Sequence, residues 1–294
     1  MSFLFRSRFG VVIIIAGVLL AGLGLTAQAF SAVALFGTLV PKDGGVVQDA
    51  DIAYGPDPRQ QLDVYRPQDG DDDLPVVFFA YGGSWAEGEK ANYEFVGRAF
   101  AARGYVTVIA DYRLVPEHIY PDFVDDMRLA LEWVGSNIAT YGGNPQRVGL
   151  IGHSAGAYNV AMVLLADRFR PAPESNLTVR AFAGLAGPYD FYPFDVDATI
   201  DAFGQYPEPA ETQPVNHIRE GLPPVLLVHG DRDGTVLPRN SLALAQGLTA
   251  QGNHVEIALY ERVDHAGVLI GFARPLRWMN PVYEDVLRFL AQNL

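Results

Sequence analysis

Apolar residues follow two alternating spacings along most of this chain. Short continuous apolar runs are separated by longer segments whose apolar residues recur three and four positions apart. The first spacing is typical of buried strands and the second of helices that pack one face on a core. The sequence predicts eight strands, at 51–54, 61–65, 76–80, 106–110, 148–151, 179–185, 225–229 and 255–260.

The strands alternate with helices from residue 76 to the end. Most strands are apolar throughout, which favours a mostly parallel eight-stranded sheet with helices on both faces. The first two strands flank Gly55-Pro56-Asp57-Pro58, a pattern typical of a hairpin. Residues 188–220 are rich in Pro, Asp and aromatic residues without a clear period, and we interpret them as a small irregular cap. The fold class is therefore α/β, with one domain at 51–294.

The N-terminus has a different pattern. Arg6 and Arg8 precede a stretch without charge that extends to Pro41, and residues 11–25 are all aliphatic, Gly or Ala. Since about 20 apolar residues span a bilayer, the sequence predicts one N-terminal transmembrane helix before the domain. Residues 1–37 would form this signal anchor or a signal peptide, and residues 38–50 a linker.

Ala27-Gln28-Ala29 supports the alternative, a signal peptide that is cleaved after Ala29 so that the domain is secreted. The apolar stretch is longer than a usual signal-peptide core and apolar residues continue past Ala29, which favours the anchor. The two arginines would then stay in the cytoplasm. The domain would lie outside it, on the periplasmic or cell-surface side.

Composition narrows the function classes. The net charge of −13 disfavours nucleic acid and anionic membrane surfaces as partners, because both would repel the chain. The absence of cysteine excludes a thiolate nucleophile, a disulfide and a cysteine-based metal site. No group of histidines and carboxylates has metal-ligand spacing, and no Gly-rich segment has a nucleotide-binding pattern. We therefore expect neither a metal nor a cofactor.

The clearest chemical motif is the pentapeptide Gly152-His153-Ser154-Ala155-Gly156. It follows an apolar strand and opens a helical segment, and a Gly-x-Ser-x-Gly at such a junction is typical of a turn that presents a nucleophilic serine. Small residues are needed two positions before and after the serine because the chain closes tightly there. The sequence therefore predicts Ser154 as a nucleophile.

A serine nucleophile needs a base, and the base needs an acid to orient it. After the strand at 225–229 comes Asp231-Arg232-Asp233, and after the strand at 255–260 comes Asp264-His265. His265 is the predicted base because it is the one histidine of six placed just after the last strand. Asp233 is the predicted acid. Asp231, nearer the strand end, and Asp264, beside His265, are its alternatives.

Gly82 and Gly83 follow the first central strand and predict an oxyanion hole. Their backbone N–H groups, with that of Ala155 after the nucleophile, could bind developing negative charge without side chains in the way. Tyr81 and Trp85 flank the two glycines. Each is predicted either to line the substrate pocket or to belong to the aromatic core.

The motifs together resemble those of the α/β-hydrolase esterases of the carboxylesterase and hormone-sensitive-lipase-like group. The likeness is closest to the branch with bacterial feruloyl-esterase-like (BD-FAE-type) and kynurenine-formamidase-like enzymes, and it covers about residues 50–294. The matching segments are Leu62-Asp63-Val64-Tyr65-Arg66-Pro67, Tyr81-Gly82-Gly83-Ser84-Trp85, Asp111-Tyr112-Arg113-Leu114, Pro116-Glu117, 152–156 and His229-Gly230 with Asp233. One departure is Tyr81, because the family loop usually begins with histidine.

The resemblance implies the α/β-hydrolase fold and a cofactor-free serine hydrolase that acts on a small-molecule ester. We therefore predict a carboxylic ester hydrolase that works through Ser154, Asp233, His265 and an acyl-enzyme. An amide-cleaving relative, such as a formamidase or peptidase, would use the same residues. A binding protein without catalysis is a further alternative, since the same fold also serves non-catalytic roles. The resemblance leaves the acyl group and the oligomeric state open.

Overall fold

An eight-stranded sheet organises residues 26–294, the part of the chain that the computed structural model describes. The strands are β1 Val46–Ala53, β2 Gln61–Pro67, β3 Leu74–Ala80, β4 Val106–Ala110, β5 Gly143–His153, β6 Val179–Leu185, β7 Val225–Gly230 and β8 Val255–Tyr260. Their order is β1-β2-β4-β3-β5-β6-β7-β8. The first two strands pair antiparallel, β2 pairs antiparallel with β4, and all other neighbours are parallel. This confirms the predicted mostly parallel eight-stranded sheet.

Eight α-helices surround the sheet within the described residues. They are α1 Thr26–Leu39, α2 Glu94–Ala101, α3 Asp122–Asn137, α4 Ala155–Leu165, α5 Asp197–Phe203, α6 Arg239–Ala250, α7 Gly267–Ile270 and α8 Val282–Asn293. Short 3₁₀ helices lie at Lys90–Tyr93, Ile138–Tyr141, Asp167–Phe169, Pro173–Ser175, Pro209–Thr212, Pro214–His217 and Arg274–Leu276.

The helices pack on both faces of the sheet. On one face α2 and α8 meet, where the Tyr283 hydroxyl donates to the Ala99 carbonyl at 2.7 Å and the Phe100 and Tyr283 rings lie 5.7 Å apart. On the other face α3 packs against α4, and both α4 and α6 contact the 3₁₀ helix at Pro214–His217. The central strand β4 is buried along its whole length. A sheet covered in this way needs apolar residues on both faces of its strands, which explains their continuous apolar runs.

The N-terminal part differs from the prediction in two ways. Strand β1 begins at Val46, inside the predicted linker, and α1 packs on the domain, with Phe36 edge-to-face on Phe95 at 5.5 Å. A Cβ atom at Gly37 would lie 2.0 Å from the carbonyl oxygen of Asn92, so the helix backbone touches the domain directly. Residues 38–50 are thus an ordered connection instead of a free linker.

The apolar stretch 11–25, the centre of the predicted transmembrane helix, lies outside the described residues. Within residues 26–294, no helix combines the length and the apolar character needed to cross a bilayer.

The predicted cap at 188–220 contains more regular structure than expected. It includes α5 and the 3₁₀ helices at Pro209–Thr212 and Pro214–His217, joined by irregular chain. Phe191 and Phe203 of this segment pack their rings on Trp85, at 6.2 Å and 4.8 Å. The segment therefore covers the loop directly after β3, which contains Trp85, at the carboxyl end of the sheet.

Candidate active site

Ser154 occupies the tight turn between the last residue of β5 and the first residue of α4. Its φ of 54° and ψ of −125° lie in a region that residues other than glycine rarely adopt. A Cβ atom at Gly152 would lie 2.4 Å from the Cα of Ala157, and one at Gly156 would lie 2.2 Å from the carbonyl oxygen of Ala80. The turn can form because both positions are glycine.

His265, in the loop after β8, lies between Ser154 and Asp233. Its Nε2 is 2.8 Å from the hydroxyl oxygen of Ser154, and its Nδ1 is 2.7 Å from a carboxylate oxygen of Asp233. The three residues come from turns after β5, β7 and β8. Parallel strands bring those turns to the same edge of the sheet, which is why residues 111 positions apart in the sequence form a hydrogen bond.

The structure also shows the partners of the two alternative acids. The carboxylate of Asp231 accepts a hydrogen bond from the backbone N–H of Arg262 at 2.6 Å. That of Asp264 accepts from the backbone N–H of Gly267 at 2.8 Å. Both therefore stabilise loop turns, and of the three aspartates Asp233 is the one within hydrogen-bonding distance of His265.

The carboxylate of Asp233 is buried and held from several sides. One oxygen accepts from the backbone N–H groups of Thr235 and Val236, at 2.9 and 2.8 Å. The other oxygen faces His265 and also lies 3.2 Å from Nε2 of His229. Burial by itself would raise the pKa of Asp233, but the hydrogen bonds from His229 and His265 outweigh it and hold that pKa well below its usual range.

The ionised carboxylate fixes the tautomer of His265. An ionised carboxylate can only accept hydrogen bonds, so Nδ1 of His265 carries the hydrogen that points at Asp233. In the neutral ring Nε2 is then a free acceptor for the hydroxyl of Ser154. The arrangement can therefore remove a proton from Ser154 and stabilise the imidazolium that results.

His153, to which we assigned no role from the sequence, is part of the same site. It precedes Ser154, is 6% exposed, and its Nε2 lies 3.0 Å from the backbone carbonyl oxygen of His265. Burial, and then the charge of His265, lower the pKa of His153 to about 3. Its position within the pentapeptide was the available sequence signal. The contact with a loop 112 residues away leaves no signal in the sequence.

Gly82 lies directly against the serine. A Cβ atom there would be 2.8 Å from the Cβ of Ser154 and 3.1 Å from Nδ1 of His153. Gly83 has a φ of 142°, and a Cβ atom at that position would be 2.0 Å from the carbonyl oxygen of Glu87. Both positions therefore require glycine, and Gly82 brings the backbone of this loop beside the side chain of Ser154.

The structure corrects the pocket-lining interpretation of Tyr81. Its side chain is fully buried between the rings of Tyr93 and Tyr112, with centroids 5.1 and 4.9 Å away. The hydroxyl donates to Asp111 at 2.6 Å and accepts from Arg59 at 3.1 Å. Tyr81 therefore belongs to the aromatic core, next to the loop that contains Gly82 and Gly83, which we call the glycine loop.

Trp85 is also mostly buried, with 3% of its surface exposed. Its indole N–H donates to the side-chain oxygen of Asn159 at 3.0 Å. Its ring packs on four other aromatic rings, those of Phe123, Tyr158, Phe191 and Phe203. The packing joins the loop after β3 to α4 and to the cap, so Trp85 belongs to the aromatic core beside the site.

A cleft of about 350 Å³ lies elsewhere, at the C-terminal end of α4. Its lining includes Arg168, Tyr206 and Arg219, and none of the predicted site residues. Within residues 26–294 no three side chains of His, Asp or Glu are grouped so that they could hold a metal ion.

Comparison with known families places this geometry in context. The model of the family described as BD-FAE matches residues 62–248. The chain is 29% identical over 259 residues to the isoprenylcysteine alpha-carbonyl methylesterase ICME of Arabidopsis thaliana, covering 80% of this chain and 60% of that protein. It is 32% identical over 236 residues to the carboxylesterase NlhH of Mycobacterium tuberculosis, covering 72% of each. The chain thus spans little more than half the length of several curated relatives, 54% in the case of LipC of M. tuberculosis.

Solved structures share the fold. Esterase B from Lactobacillus rhamnosis superposes with a TM-score of 0.79 at 18% identity, covering 95% of this chain and 94% of that chain. Esterase 2 of Thermogutta terrifontis, in a propionate-bound structure, superposes with a TM-score of 0.69 at 26% identity. That match covers 86% of this chain and 96% of that one.

Proposed function

Since this chain belongs to the BD-FAE family of α/β-hydrolase fold proteins, we propose that it hydrolyses carboxylic esters with Ser154 as the nucleophile. The observation that carries the proposal is the continuous hydrogen-bonded line from Asp233 through His265 to Ser154, set on a strained strand-to-helix turn. The names of relatives such as NlhH, a carboxylesterase, support the same reaction.

The first half-reaction forms an acyl-enzyme. As the hydroxyl oxygen of Ser154 attacks the ester carbon, its proton passes to Nε2 of His265, and Asp233 stabilises the imidazolium. The carbonyl oxygen gains negative charge and is bound by the backbone N–H groups of Gly82, Gly83 and Ala155. One such donor is typically worth about 3–4 kcal/mol to the transition state. His265 then gives the proton to the departing alcohol oxygen, and the acyl group stays on Ser154.

The second half-reaction releases the acid. A water molecule gives a proton to Nε2 of His265 and attacks the acyl carbon, and the same backbone donors bind the second oxyanion. When the intermediate collapses, the bond to the Ser154 oxygen breaks and the proton returns to that oxygen. The products are one carboxylic acid and one alcohol, and the enzyme is regenerated.

The direct test is Ser154→Ala, assayed with p-nitrophenyl esters of two to eight acyl carbons and with matched anilides. Ser136→Ala is the control, because that exposed serine only donates to the carbonyl of Glu132 within its own helix. We expect wild type and S136A to hydrolyse the esters and to react with a fluorophosphonate probe, and S154A to do neither. Undiminished turnover by S154A would refute the assignment, and faster cleavage of anilides than esters would favour an amide hydrolase.

We also propose that the apolar N-terminal segment holds the domain outside the cytoplasm. The support is sequence alone: two arginines followed by the uncharged stretch that contains residues 11–25. Cleavage after Ala29 would remove the first turn of α1 but keep Phe36 on Phe95. N-terminal sequencing of the mature protein distinguishes the anchor from the cleaved signal. Protection of the domain from added protease in spheroplasts, whose outer envelope has been removed, would contradict both.

A further inference from the structure

His153 touches three parts of the site at once. Its backbone continues into Ser154, its Nε2 meets the backbone carbonyl of His265, and its Nδ1 faces Gly82 of the glycine loop. The two imidazole rings also pack together, with centroids 4.9 Å apart and an angle of 42° between their planes. One buried residue therefore connects the turn at Ser154, the loop that carries His265, and the loop at Gly82 and Gly83 that carries the proposed oxyanion donors.

The hydrogen-bond partners fix the state of the ring. A backbone carbonyl can only accept a hydrogen bond, so Nε2 of His153 carries a hydrogen and donates it to His265. In the neutral ring Nδ1 then has no hydrogen, and among residues 26–294 it has no hydrogen-bond partner. It cannot compete for the proton that Ser154 gives up, because its pKa is held near 3 by burial.

We infer that His153 is a positioning residue, an inference that rests on the function proposed above. Its N–H bond to the carbonyl of His265 fixes the loop that carries His265 on the turn that carries Ser154. The loop at 261–266 leaves the sheet after β8, and several of its residues are exposed. Asp233 holds the side chain of His265, whereas His153 holds its backbone. Together the two contacts define where Nε2 stands relative to the Ser154 hydroxyl.

The consequence concerns rate more than binding. Displacing a catalytic group by about 1 Å can cost on the order of 100-fold in rate even when the group itself is intact. His153 is not expected to touch the substrate, because its exposed fraction is 6% and its ring lies between protein loops. Loss of the contact should therefore lower kcat and leave KM nearly unchanged.

Three substitutions separate the N–H bond from simple space filling. Leucine fills similar volume without a donor, glutamine can place an N–H near the position of Nε2, and asparagine places one only near Nδ1. The matched control is His217→Leu, which removes a histidine whose ring N–H also donates to a backbone carbonyl, that of Glu211 at 2.8 Å, but at the surface.

The measurement is kcat and KM for a short p-nitrophenyl ester, together with the rate of Ser154 labelling by a fluorophosphonate. We expect H153L and H153N to lose about 10- to 100-fold in kcat and in labelling rate. We expect H153Q to retain most of both and H217L to match wild type. Equal rates in wild type, H153L and H153N, or a loss in H153Q as large as in H153N, would overturn the inference.

Two further points keep the test decisive. If H153L does not fold, as judged by its thermal unfolding transition, the comparison of H153Q with H153N still decides, since both are polar. A wild type without esterase activity would sink the proposed function itself. If wild type is active and the His153 variants have the same kcat and labelling rate, only the positioning role is refuted.

Discussion

Nε2 of His229 lies 3.2 Å from the carboxylate of Asp233, so the proposed acid has a second histidine beside it. The same nitrogen is 2.8 Å from the carbonyl oxygen of Val236, and a carbonyl only accepts. His229 therefore carries its hydrogen on Nε2 and shares it between the carbonyl and the carboxylate. Its other nitrogen is 2.8 Å from the hydroxyl of Ser241, and the residue is completely buried. His229 thus anchors the loop that carries Asp233 and Val236 to the end of β7.

The first prediction concerns the choice of acid. Asp233→Asn should lower kcat about 10⁴-fold, because an amide in place of the carboxylate favours the wrong tautomer of His265. Asp264→Asn is the matched control, since its carboxylate caps a turn through Gly267 and does not contact His265 through a hydrogen bond. Steady-state kinetics on a short ester measures both. A larger loss in D264N than in D233N would contradict the assignment.

The second prediction concerns pH and the buried ring of His153. Its pKa is lowered from 6.5 to about 3 in the folded protein, so between those values the unfolded chain binds a proton that the folded chain does not. Keeping this ring neutral and buried therefore does not lower the free energy of unfolding above pH 6.5. As the pH falls from 6.5 toward 3, it lowers that free energy progressively. One such group steepens the loss by at most about 1.4 kcal/mol per pH unit.

Urea unfolding of wild type, His153→Leu and His153→Gln at several pH values in that range tests this expectation. Both variants lack the titrating ring, so the free energy of unfolding should fall less steeply with acid in both than in wild type. Other groups titrate alike in all three proteins and cancel in the comparison. Parallel curves would show that His153 binds protons equally in the folded and unfolded states.

The third prediction concerns Gly82. An added Cβ atom would lie 2.8 Å from the Cβ of Ser154, so Gly82→Ala must push the glycine loop away from the nucleophile. We expect a loss in kcat of about 100-fold or more, because the proposed oxyanion donors, the backbone N–H groups of Gly82 and Gly83, would move with the loop. Gly44→Ala is the control, since nothing lies within 4 Å of its added Cβ atom. Kinetics and thermal unfolding of both variants are the readouts, and an active G82A would argue against this loop as the oxyanion hole.

The fourth prediction concerns Tyr81. Tyr81→Phe removes a hydroxyl that bridges Asp111 and Arg59 in a buried position, which should cost about 1–3 kcal/mol of unfolding free energy. Tyr189→Phe is the control, since its hydroxyl is equally buried but has no hydrogen-bond partner among the described residues, so removing it should cost little. Denaturant unfolding measures the difference. Because Tyr81 does not line the pocket, KM should be unchanged, and a large rise in KM would restore the pocket interpretation.

Much of the fold could be predicted from the sequence because its signals are local. Apolar runs in β3 and β4 and helical spacing between the strands depend on neighbouring residues alone. The position of Ser154 was equally local, since two glycines and a strand-to-helix junction define the turn. Once the strands are parallel, their carboxyl ends share an edge, so the order of Ser154, Asp233 and His265 along the chain was enough to suggest that they meet.

Other features depended on where distant parts of the chain pack. Asp231, Asp233 and Asp264 are chemically alike, and only the turn geometry shows which carboxylate reaches His265. Tyr81 is adjacent to the glycine loop in sequence, yet Tyr93 and Tyr112 enclose its side chain and turn it into the core.

The sequence by itself determined the α/β architecture, the serine turn and the set of candidate groups, because strand and helix periodicity and turn sterics act over a few residues. Only the tertiary structure decided which acid faces the base, that Tyr81 is buried, that α1 packs on the domain, and that His153 meets the carbonyl of His265. These contacts join segments up to 112 residues apart. Hydrogen bonding and burial depend on distances in space, which the spacing of residues along the chain does not contain.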